Sequence, residues 1–159
     1  MKKFTFAYPT KVYFGEGIAA EALEQELSKV GEAVMLAYGG GSIHKNGIYK
    51  EINDCLLKAG KKVVEFSGIM PNPTYMKVQE GVDLVRKYHV DFILAVGGGS
   101  VIDCCKVISA QTILEEDIWQ MEYREKIFPK GGIPMGVIVT ASGTGAEMNA
   151  GAVITHEEK

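Results

Sequence analysis

Short apolar runs alternate with longer segments of helical periodicity along most of this chain. The apolar runs predict strands at residues 33–38, 62–66, 91–96, 134–140 and 150–155. Apolar residues at helical spacing predict helices over about 19–27, over 47–60, over a stretch that ends near His89, and over about 101–114. Two aromatic segments at the start, 3–8 and 11–14, are joined by Pro9-Thr10 and predict a β-hairpin.

This order of elements predicts a doubly wound α/β domain that follows the N-terminal β-hairpin. Strands that alternate with helices are joined by right-handed crossovers, so we expect a mostly parallel sheet. Such sheets bind ligands at the carboxyl ends of their strands, near the point where the strand order reverses. The predicted site is therefore built from the loops at 39–42, 67–74, 97–100 and 140–145, where Gly, Ser, Thr and Asn gather.

Composition narrows the classes of function. The chain has 159 residues, of which 47% are hydrophobic and 23% charged, as expected for one globular domain. A net charge of -3 argues against nucleic-acid binding through a broad positively charged surface. No apolar run is long enough to span a membrane, and the N-terminus lacks the pattern of a signal peptide. The three cysteines are interpreted as reduced thiols of a cytoplasmic protein.

The stretch Gly97-Gly98-Gly99-Ser100 follows a predicted strand and opens a predicted helix. Unpaired backbone amides and the helix dipole favour an anion at such a place, and glycine lets a phosphate approach the backbone closely. The spacing of Ser100 and Asp103 also fits a capping box, so a plain strand-to-helix turn explains the same residues. Both interpretations stay open, since capping does not exclude a cofactor contact of Asp103.

The stretch Gly39-Gly40-Gly41-Ser42 repeats this pattern after an earlier strand. In many dinucleotide sites an acid at this place binds the ribose hydroxyls of adenosine. Here the residues are small and uncharged, which favours a 2′-phosphate that an acid would repel, and Lys45 adds positive charge. A flexible turn is the alternative. Residues 15–20 also match G-x-G-x-x-A, but the acid expected about 20 residues later is missing, so they are interpreted as a helix entry.

Two further loops place polar groups at the same edge of the predicted sheet. Asn72 lies between two prolines and is a candidate to hold a nucleotide ribose or phosphate. A simple turn with a helix N-cap is the alternative. Residues 140–145 offer Thr140 and Thr144 as candidate donors to the phosphates or ribose, and a hairpin turn is the alternative there.

Four segments together resemble the iron-containing (group III) alcohol dehydrogenases. They are YGGGSIHKNGIYKEI, GIMPNPT, LAVGGGSVIDCCK and IPMGVIVTASGTGAEMNAGAVIT, and the YGGGS stretch is similar to the NADPH-dependent butanol or aldehyde-reducing branch. The resemblance implies that residues 1–159 form a Rossmann-like, dehydroquinate-synthase-like N-terminal domain that binds NADP(H). The cofactor-binding residues that it implies are Gly39, Gly40, Ser42, Asn72, Gly98, Gly99, Ser100, Asp103, Thr140, Thr144 and Asn149.

In that family a C-terminal helical domain supplies a divalent metal, iron or zinc, through an Asp and three His, and most of the substrate pocket. The resemblance implies that this domain is absent from the chain, so no catalytic or metal-binding residue is assigned. His44, His89 and His156 are interpreted as surface or capping residues, because no pair has a ligand spacing. Cys104 and Cys105 are interpreted as core residues rather than reactive thiols.

The expected function is hydride transfer between NADP(H) and a primary alcohol or aldehyde, such as butanol or butyraldehyde, in a longer protein. The 159-residue chain is expected to be inactive alone, and pairing of two copies through the N-terminal hairpin is an open possibility. Two alternatives stay open. One is a stand-alone nucleotide-binding module without catalysis. The other is a related enzyme similar to glycerol dehydrogenase or dehydroquinate synthase, which the PNPT and GTGAE stretches fit less well.

Overall fold

The structure is a computed structural model that describes residues 9–157. Its helices are α1 (Ile18–Glu26), α2 (Ser42–Lys45), α3 (Ile48–Lys58), α4 (Tyr75–Tyr88) and α5 (Gly99–Thr112). Its strands are β1 (Ala33–Tyr38), β2 (Lys62–Phe66), β3 (Phe92–Gly97) and β4 (Met135–Val139). Short 3-10 turns lie at Leu27–Lys29 and Ala146–Met148, and a π-helix lies at Gln120–Glu125.

The strands form one parallel sheet in the order β2-β1-β3-β4. The register of the central pair runs from Val34 opposite Phe92 to Tyr38 opposite Val96. The chain leaves β1 toward one edge of the sheet and later leaves β3 toward the other edge. The strand order therefore reverses between the carboxyl ends of β1 and β3, which is where sheets of this class bind their ligands.

Both faces of the sheet are covered by helices, because successive strand residues point to opposite sides. One face, with Met35 and Ile93, packs against α4 and α5. The other face, with Leu36 and Leu94, packs against α1 and α3. The doubly wound α/β fold predicted from the sequence is thereby confirmed. All four of these strand residues are almost fully buried, so the near-continuous apolar runs reflect burial on both sides.

The close approach of α4 and α5 depends on a glycine in the middle of α4. A β-carbon at Gly81 would overlap the terminal methyl carbon of Ile108 on α5 and would lie 3.1 Å from the Phe66 ring. A glycine inside a helix costs roughly 1 kcal/mol relative to alanine. Here that cost is offset by the packing of Ile108, which is fully buried. The tight α4–α5 pair fixes the direction of α5 and with it the turn at its start.

The predicted strand at 150–155 is wrong. In the described part of the chain these residues run without strand pairing, except that Thr155 forms a parallel bridge with Thr74. Polar side chains of α5 form hydrogen bonds with backbone groups of this segment that would otherwise pair with a neighbouring strand. Lys106 Nζ donates to the Gly151 carbonyl oxygen at 2.7 Å, and the Asp103 carboxylate accepts the Val153 amide at 3.1 Å.

The first arm of the predicted N-terminal hairpin lies outside the described residues, so the hairpin stays a prediction. Residues 11–14, its second arm, have no strand assigned within 9–157. The side chains of Lys11 and Tyr13 contact Glu26 at the end of α1, where both donate hydrogen bonds to the carboxylate. Residues 15–20 form a helix entry as predicted, with Gly17 as the N-cap residue of α1.

The other predicted strands and helices are confirmed with small shifts at their ends. The helix expected from about residue 101 begins at Gly99, and α2 was not predicted because four residues carry too little periodicity. The polar stretch around Trp119 contains the π-helix. Over residues 9–157 the structure holds no helix with the length and apolarity that a membrane span requires.

Candidate functional site: a cleft at the switch in strand order

A cleft of about 280 Å³ opens at the carboxyl edge of the sheet, between the ends of β1 and β3. Its walls come from the loops after β1, β2, β3 and β4, which the sequence predicted as the site. The predicted cofactor residues that line it are Gly39, Gly40, Ser42, Gly98, Gly99, Ser100 and Thr140. Asn72, Asp103, Thr144 and Asn149 are not among the lining residues.

Residues of the turn between β3 and α5 line the cleft, and their backbone amides lie at the start of the helix. Gly98 is the N-cap residue of α5, and its carbonyl oxygen accepts the amides of Val101 and Ile102 at 3.1 and 3.2 Å. The amides of Gly99 and Ser100 precede the first intrahelical hydrogen bond, and the dipole of the helix adds partial positive charge beside them. A phosphate group satisfies both the amides and the charge.

The capping box proposed for Ser100 and Asp103 is wrong. Gly98 holds the N-cap position, and no side chain makes a capping hydrogen bond there. Since the helix begins at Gly99, Asp103 lies in its second turn, beyond reach of the first amides. Its carboxylate instead accepts the Val153 amide and lies 3.6 Å from Lys106 Nζ.

Packing requires two of the glycines in this turn. A β-carbon at Gly97 would lie 2.6 Å from a methyl carbon of Val101. A β-carbon at Gly99 would lie 2.5 Å from the hydroxyl oxygen of Thr144. Both distances are far below van der Waals contact, so a side chain at 97 or 99 would force Val101 or Thr144 to move, and packing alone favours glycine at both positions.

Packing does not require the glycines at 40 and 98. A β-carbon at Gly98 would lie 3.6 Å from Ala141, an ordinary contact, and one at Gly40 would meet nothing within 4 Å. Neither residue has a positive φ angle. Both line the cleft, where a side chain would occupy the space. This is the arrangement expected where a phosphate must approach the backbone, so the residues present fit a dinucleotide.

The loop after β1 forms the opposite wall. Packing favours glycine at 39, because a β-carbon there would lie 3.0 Å from the carbonyl oxygen of Ile69, a tight contact with backbone. Gly41 is the N-cap residue of α2, and Ser42 begins that helix. No acidic residue is among those lining the cleft, all of which belong to the described part of the chain. Lys45 ends α2 as an exposed residue outside the lining set.

The loop at 67–74 is fixed to the end of β1. The Gly68 amide donates to the Gly39 carbonyl oxygen at 3.0 Å. Thr74 is the N-cap residue of α4, and its hydroxyl accepts the Lys77 amide at 3.2 Å, so the capping role belongs to Thr74 rather than to Asn72. Asn72 has a φ of 52°, and its neighbour Pro71 lines the cleft. Asn72 itself is exposed and is not one of the residues that line the cleft.

The segment after β4 crosses the start of α5. The Thr140 amide donates to the Gly97 carbonyl oxygen at 3.0 Å, which extends the sheet by one hydrogen bond. Thr144 packs on Gly99, as described above. Asn149 Nδ2 donates to the Gly145 carbonyl oxygen at 2.8 Å, and Asn149 Oδ1 accepts the Gly151 amide. Thr144 and Asn149 thus shape the loop that closes over the turn.

Lys106 is the residue of this region that sequence reasoning missed. Its side chain is only 15% exposed. Its ammonium group donates to Asn149 Oδ1 at 3.1 Å and to the Gly151 carbonyl oxygen at 2.7 Å, and it lies near the Asp103 carboxylate. The D-x-x-K spacing on a helix gives the only signal in the sequence, and it looks like an ordinary surface ion pair.

The thiols of α5 are core residues, as predicted. Cys104 and Cys105 are fully buried in the cluster between the sheet and α4. Burial raises the pKa of Cys104 to about 12 and raises that of Cys105 well above its ordinary value. Both thiols therefore stay protonated at neutral pH, and neither has the low pKa of a reactive cysteine.

The three histidines lie apart from one another. His44 packs on Tyr49 with ring centroids 4.2 Å apart, His89 is the C-cap residue of α4, and His156 stacks on Tyr75 at 5.3 Å. Among residues 9–157 no group of three or more His, Cys, Asp or Glu side chains is placed to hold a metal ion. The residues described here do not fit a metal site.

Comparison with known proteins identifies the family. Residues 9–159 match the family model described as iron-containing alcohol dehydrogenase. The chain belongs to this family. Membership of this family explains why the chain carries the four motif segments and the parallel sheet with its glycine-rich turns.

Curated relatives in the family carry both cofactor names. A protein named probable NADH-dependent butanol dehydrogenase 1, from Bacillus subtilis, is 45% identical over 158 residues, which are 99% of this chain and 40% of that protein. The NADPH-dependent aldehyde reductase YqhD of Escherichia coli is 42% identical over 159 residues, again 99% of this chain and 40% of that protein. The chain thus spans about 40% of the length of these relatives.

A solved structure matches the fold closely. The crystal structure of NADH-dependent butanol dehydrogenase A from Thermotoga maritima superposes with a TM-score of 0.91 at 42% sequence identity. The match covers 99% of this chain and 39% of that one. The four-stranded parallel sheet and its helices therefore have the architecture of the N-terminal part of that enzyme.

Proposed function

We propose that this chain is the NADP(H)-binding domain, spanning residues 1–159, of an oxidoreductase. The enzyme transfers a hydride between NADP(H) and a primary alcohol or aldehyde such as butanol or butyraldehyde. The observation that carries the proposal is the cleft at the switch in strand order, where Gly40 and Gly98 leave space that packing does not require. Membership of the iron-containing alcohol dehydrogenase family supports the class of reaction.

The parts of the cofactor are assigned to different walls of the cleft. The pyrophosphate is placed on the amides of Gly98, Gly99 and Ser100, at the positive end of the α5 dipole. The adenosine half is placed against Gly39, Gly40 and Ser42. Candidate contacts around them are Asn72, Asp103, Thr140, Thr144 and Asn149, of which Asp103 and Asn149 act through the loop at 145–153 that they hold.

Preference for NADP(H) over NAD(H) is part of the proposal. A ribose with free hydroxyls is commonly bound by a carboxylate, whereas a 2′-phosphate is repelled by one. Among residues 9–157 those that line the cleft include no acid, and the Gly40 position is open. Relatives named for NADH and for NADPH are both similar to this chain, so the support comes from the cleft rather than from the names.

Nicotinamide supplies the hydride chemistry when it is bound, and the residues of this chain orient it. The backbone amides at 98–100 fix the phosphates, and the segment at 140–153 closes the side of the turn. Residues 9–157 do not fit a metal site. We therefore propose that residues outside this range hold the metal that stabilises the substrate alkoxide. The role of this domain is therefore to bind the cofactor and to orient its nicotinamide toward the substrate.

Titration of the chain with NADPH and NADH, followed by nicotinamide fluorescence and by calorimetry, tests the proposal. We expect NADPH to bind more tightly than NADH, with NMR shifts concentrated at residues 39–42 and 97–100. An absence of binding of both cofactors at about 10 mM, where even weak sites of ~1 mM dissociation constant fill, would refute the binding function. Tighter binding of NADH would refute the preference alone.

A further inference from the structure

Glu65 receives two tyrosine hydroxyls on its carboxylate. Tyr38 donates to Oε2 at 2.9 Å, and Tyr49 donates to Oε1. Each carboxylate oxygen therefore has a donor of its own. Glu65 lies on β2, one residue before the carboxyl end of that strand, so the three side chains meet beside the edge of the sheet that bears the cleft.

The two tyrosines mark the ends of one segment of the chain. Tyr38 is the last residue of β1, and Tyr49 lies in the first turn of α3. Between them run residues 39–48, which include the lining residues Gly39, Gly40 and Ser42. Glu65 thus joins both ends of the segment that forms the β1 wall of the cleft.

Other contacts of the segment lie at its start, in its middle and near its end. At its start, the Gly39 carbonyl oxygen accepts the Gly68 amide at 3.0 Å. Ile43 is buried with 3% exposure, and Asn46 Oδ1 accepts the Ile48 amide at 3.3 Å. The N-cap residue of the short helix α2 is Gly41, which has no side chain to cap the helix, and β-carbons at Gly40 and Gly41 would meet no atom of residues 9–157 within 4 Å. A glycine-rich segment of this kind loses much conformational entropy when it is ordered, so contacts at its ends matter.

Aromatic packing extends the contact from the ends of the segment to α2. The His44 ring packs on Tyr49 with centroids 4.2 Å apart and meets the Tyr38 ring edge-on at 5.4 Å. The hydrogen bond to Glu65 raises the pKa of Tyr49 to about 12, and burial raises that of Tyr38. Both hydroxyls therefore stay protonated donors throughout the neutral range, and the carboxylate oxygens stay engaged.

We propose that Glu65 is a positioning residue for the adenosine half of the cofactor, acting through Tyr38 and Tyr49 to fix residues 39–48 in the geometry that the 2′-phosphate and ribose require. The inference rests on the proposed binding of NADP(H) and assigns a residue to it that does not line the cleft. The two walls of the cleft then have different roles. The amides at 98–100 hold the pyrophosphate, and Glu65 fixes the opposite wall, formed by residues 39–48.

The test compares half-cofactors on the chain with Glu65→Gln. An amide keeps the size of the side chain but removes the negative charge that strengthens both hydrogen bonds, and its nitrogen cannot accept from a tyrosine hydroxyl, which must turn to accept instead. We expect the affinity for 2′,5′-ADP, followed by NMR titration, to fall about tenfold, while that for reduced nicotinamide mononucleotide changes less than about twofold. The matched control is Glu32→Gln, which removes an exposed carboxylate paired with Lys62 at 3.1 Å and leaves both affinities unchanged.

A second variant guards against a general loss of structure. Tyr49→Phe removes one hydroxyl, and it is expected to weaken 2′,5′-ADP binding in the same direction. Combined with Glu65→Gln it adds less than its effect alone, because the Tyr49 hydroxyl acts through Glu65 and the two changes overlap at that hydrogen bond. Equal loss of both half-cofactors, additive effects, or no loss with Glu65→Gln would overturn the role of Glu65. Failure of the unaltered chain to bind 2′,5′-ADP and NADPH at all would instead overturn the proposed function, and this inference with it.

Discussion

The Thr144 side chain lies directly against the α-carbon of Gly99, in a gap where no larger residue fits. A β-carbon at residue 99 would lie 2.5 Å from the Thr144 hydroxyl oxygen and 3.0 Å from its methyl carbon. The same hydroxyl accepts the Ala146 amide at 3.3 Å, so Thr144 is held by its own loop. The start of α5 and the loop after β4 therefore fit together at this one contact.

Substitution at Gly99 and Gly98 separates folding from cofactor binding. Gly99→Ala is expected to lower the free energy of unfolding by roughly 1–3 kcal/mol, because the new methyl group overlaps Thr144. Gly98→Ala is expected to change it by less than about 0.5 kcal/mol, since its β-carbon has an ordinary contact, and yet to weaken NADPH binding by filling the cleft. Urea unfolding and fluorescence titration measure the two effects, and equal destabilisation by both variants would contradict this account.

Gly40→Asp is expected to move cofactor preference toward NAD(H). The position is open, so an aspartate fits there without the overlap with Ile69 that the same change at Gly39 would cause. Its carboxylate accepts ribose hydroxyls and repels a 2′-phosphate, for an expected change of roughly tenfold in the ratio of dissociation constants. Gly40→Asn is the matched control of nearly the same size and without charge. If both variants shift the ratio alike, bulk rather than charge decides it.

Lys106→Met is expected to loosen the segment at 149–153. The substitution removes two hydrogen bonds and leaves the Asp103 carboxylate without its nearby ammonium group, at a cost of about 1–3 kcal/mol. Hydrogen exchange of the Gly151 and Val153 amides should accelerate. Lys50→Met, which removes an ion pair at an 83% exposed side chain, is the control and should leave both stability and exchange unchanged.

Thiol labelling tests the packing of α5. In the folded chain only the half-buried Cys55 should react with a thiol reagent at pH 8, whereas all three cysteines should react in urea. Because the pKa of Cys104 is raised from about 9 to about 12, its protonated form contributes stability that is complete below pH ~9 and is lost as the pH rises toward 12. Rapid labelling of Cys104 or Cys105 at pH 8 would contradict the buried placement.

The 159-residue chain is expected to show no reduction of butyraldehyde with NADPH, even with added iron or zinc. Within residues 9–157 no cluster of side chains is placed to hold such a metal, and alkoxide stabilisation is then lacking. Absorbance of the nicotinamide measures the rate. Turnover at about one per second or faster, typical of an ordinary dehydrogenase, would show that the chain contains a complete site.

The sequence predicted the sheet and the edge that bears the cleft, because both depend on local patterns. Four apolar runs became strands whose ends differ from the prediction by at most one residue, and the glycine-rich loops follow three of them. The strand expected at 150–155 failed because β-propensity alone does not supply a neighbouring strand. The chain there passes over Asp103 and Lys106, which bind its backbone.

Residues that act across long stretches of the chain were not predictable in the same way. Lys106 and Asn149 are 43 positions apart, and Glu65 lies 27 positions from Tyr38. Periodicity says which face of an element is buried, but it does not say which distant backbone or hydroxyl group a polar side chain will meet. Such contacts follow from the path of the loops, which composition and spacing leave open.

The parallel bridge between Thr74 and Thr155 ties the segment after β4 to the loop that precedes α4. The Tyr75 amide donates to the Thr155 carbonyl oxygen at 2.8 Å, and the Thr155 amide donates to the Pro73 carbonyl oxygen at 2.9 Å. Because the two strands of chain run in the same direction, a pull along the residues around Thr155 loads both hydrogen bonds at once, in shear, instead of peeling them apart in turn. A displacement of Thr155 would therefore act first on Pro73, the residue next to Asn72 in the chain.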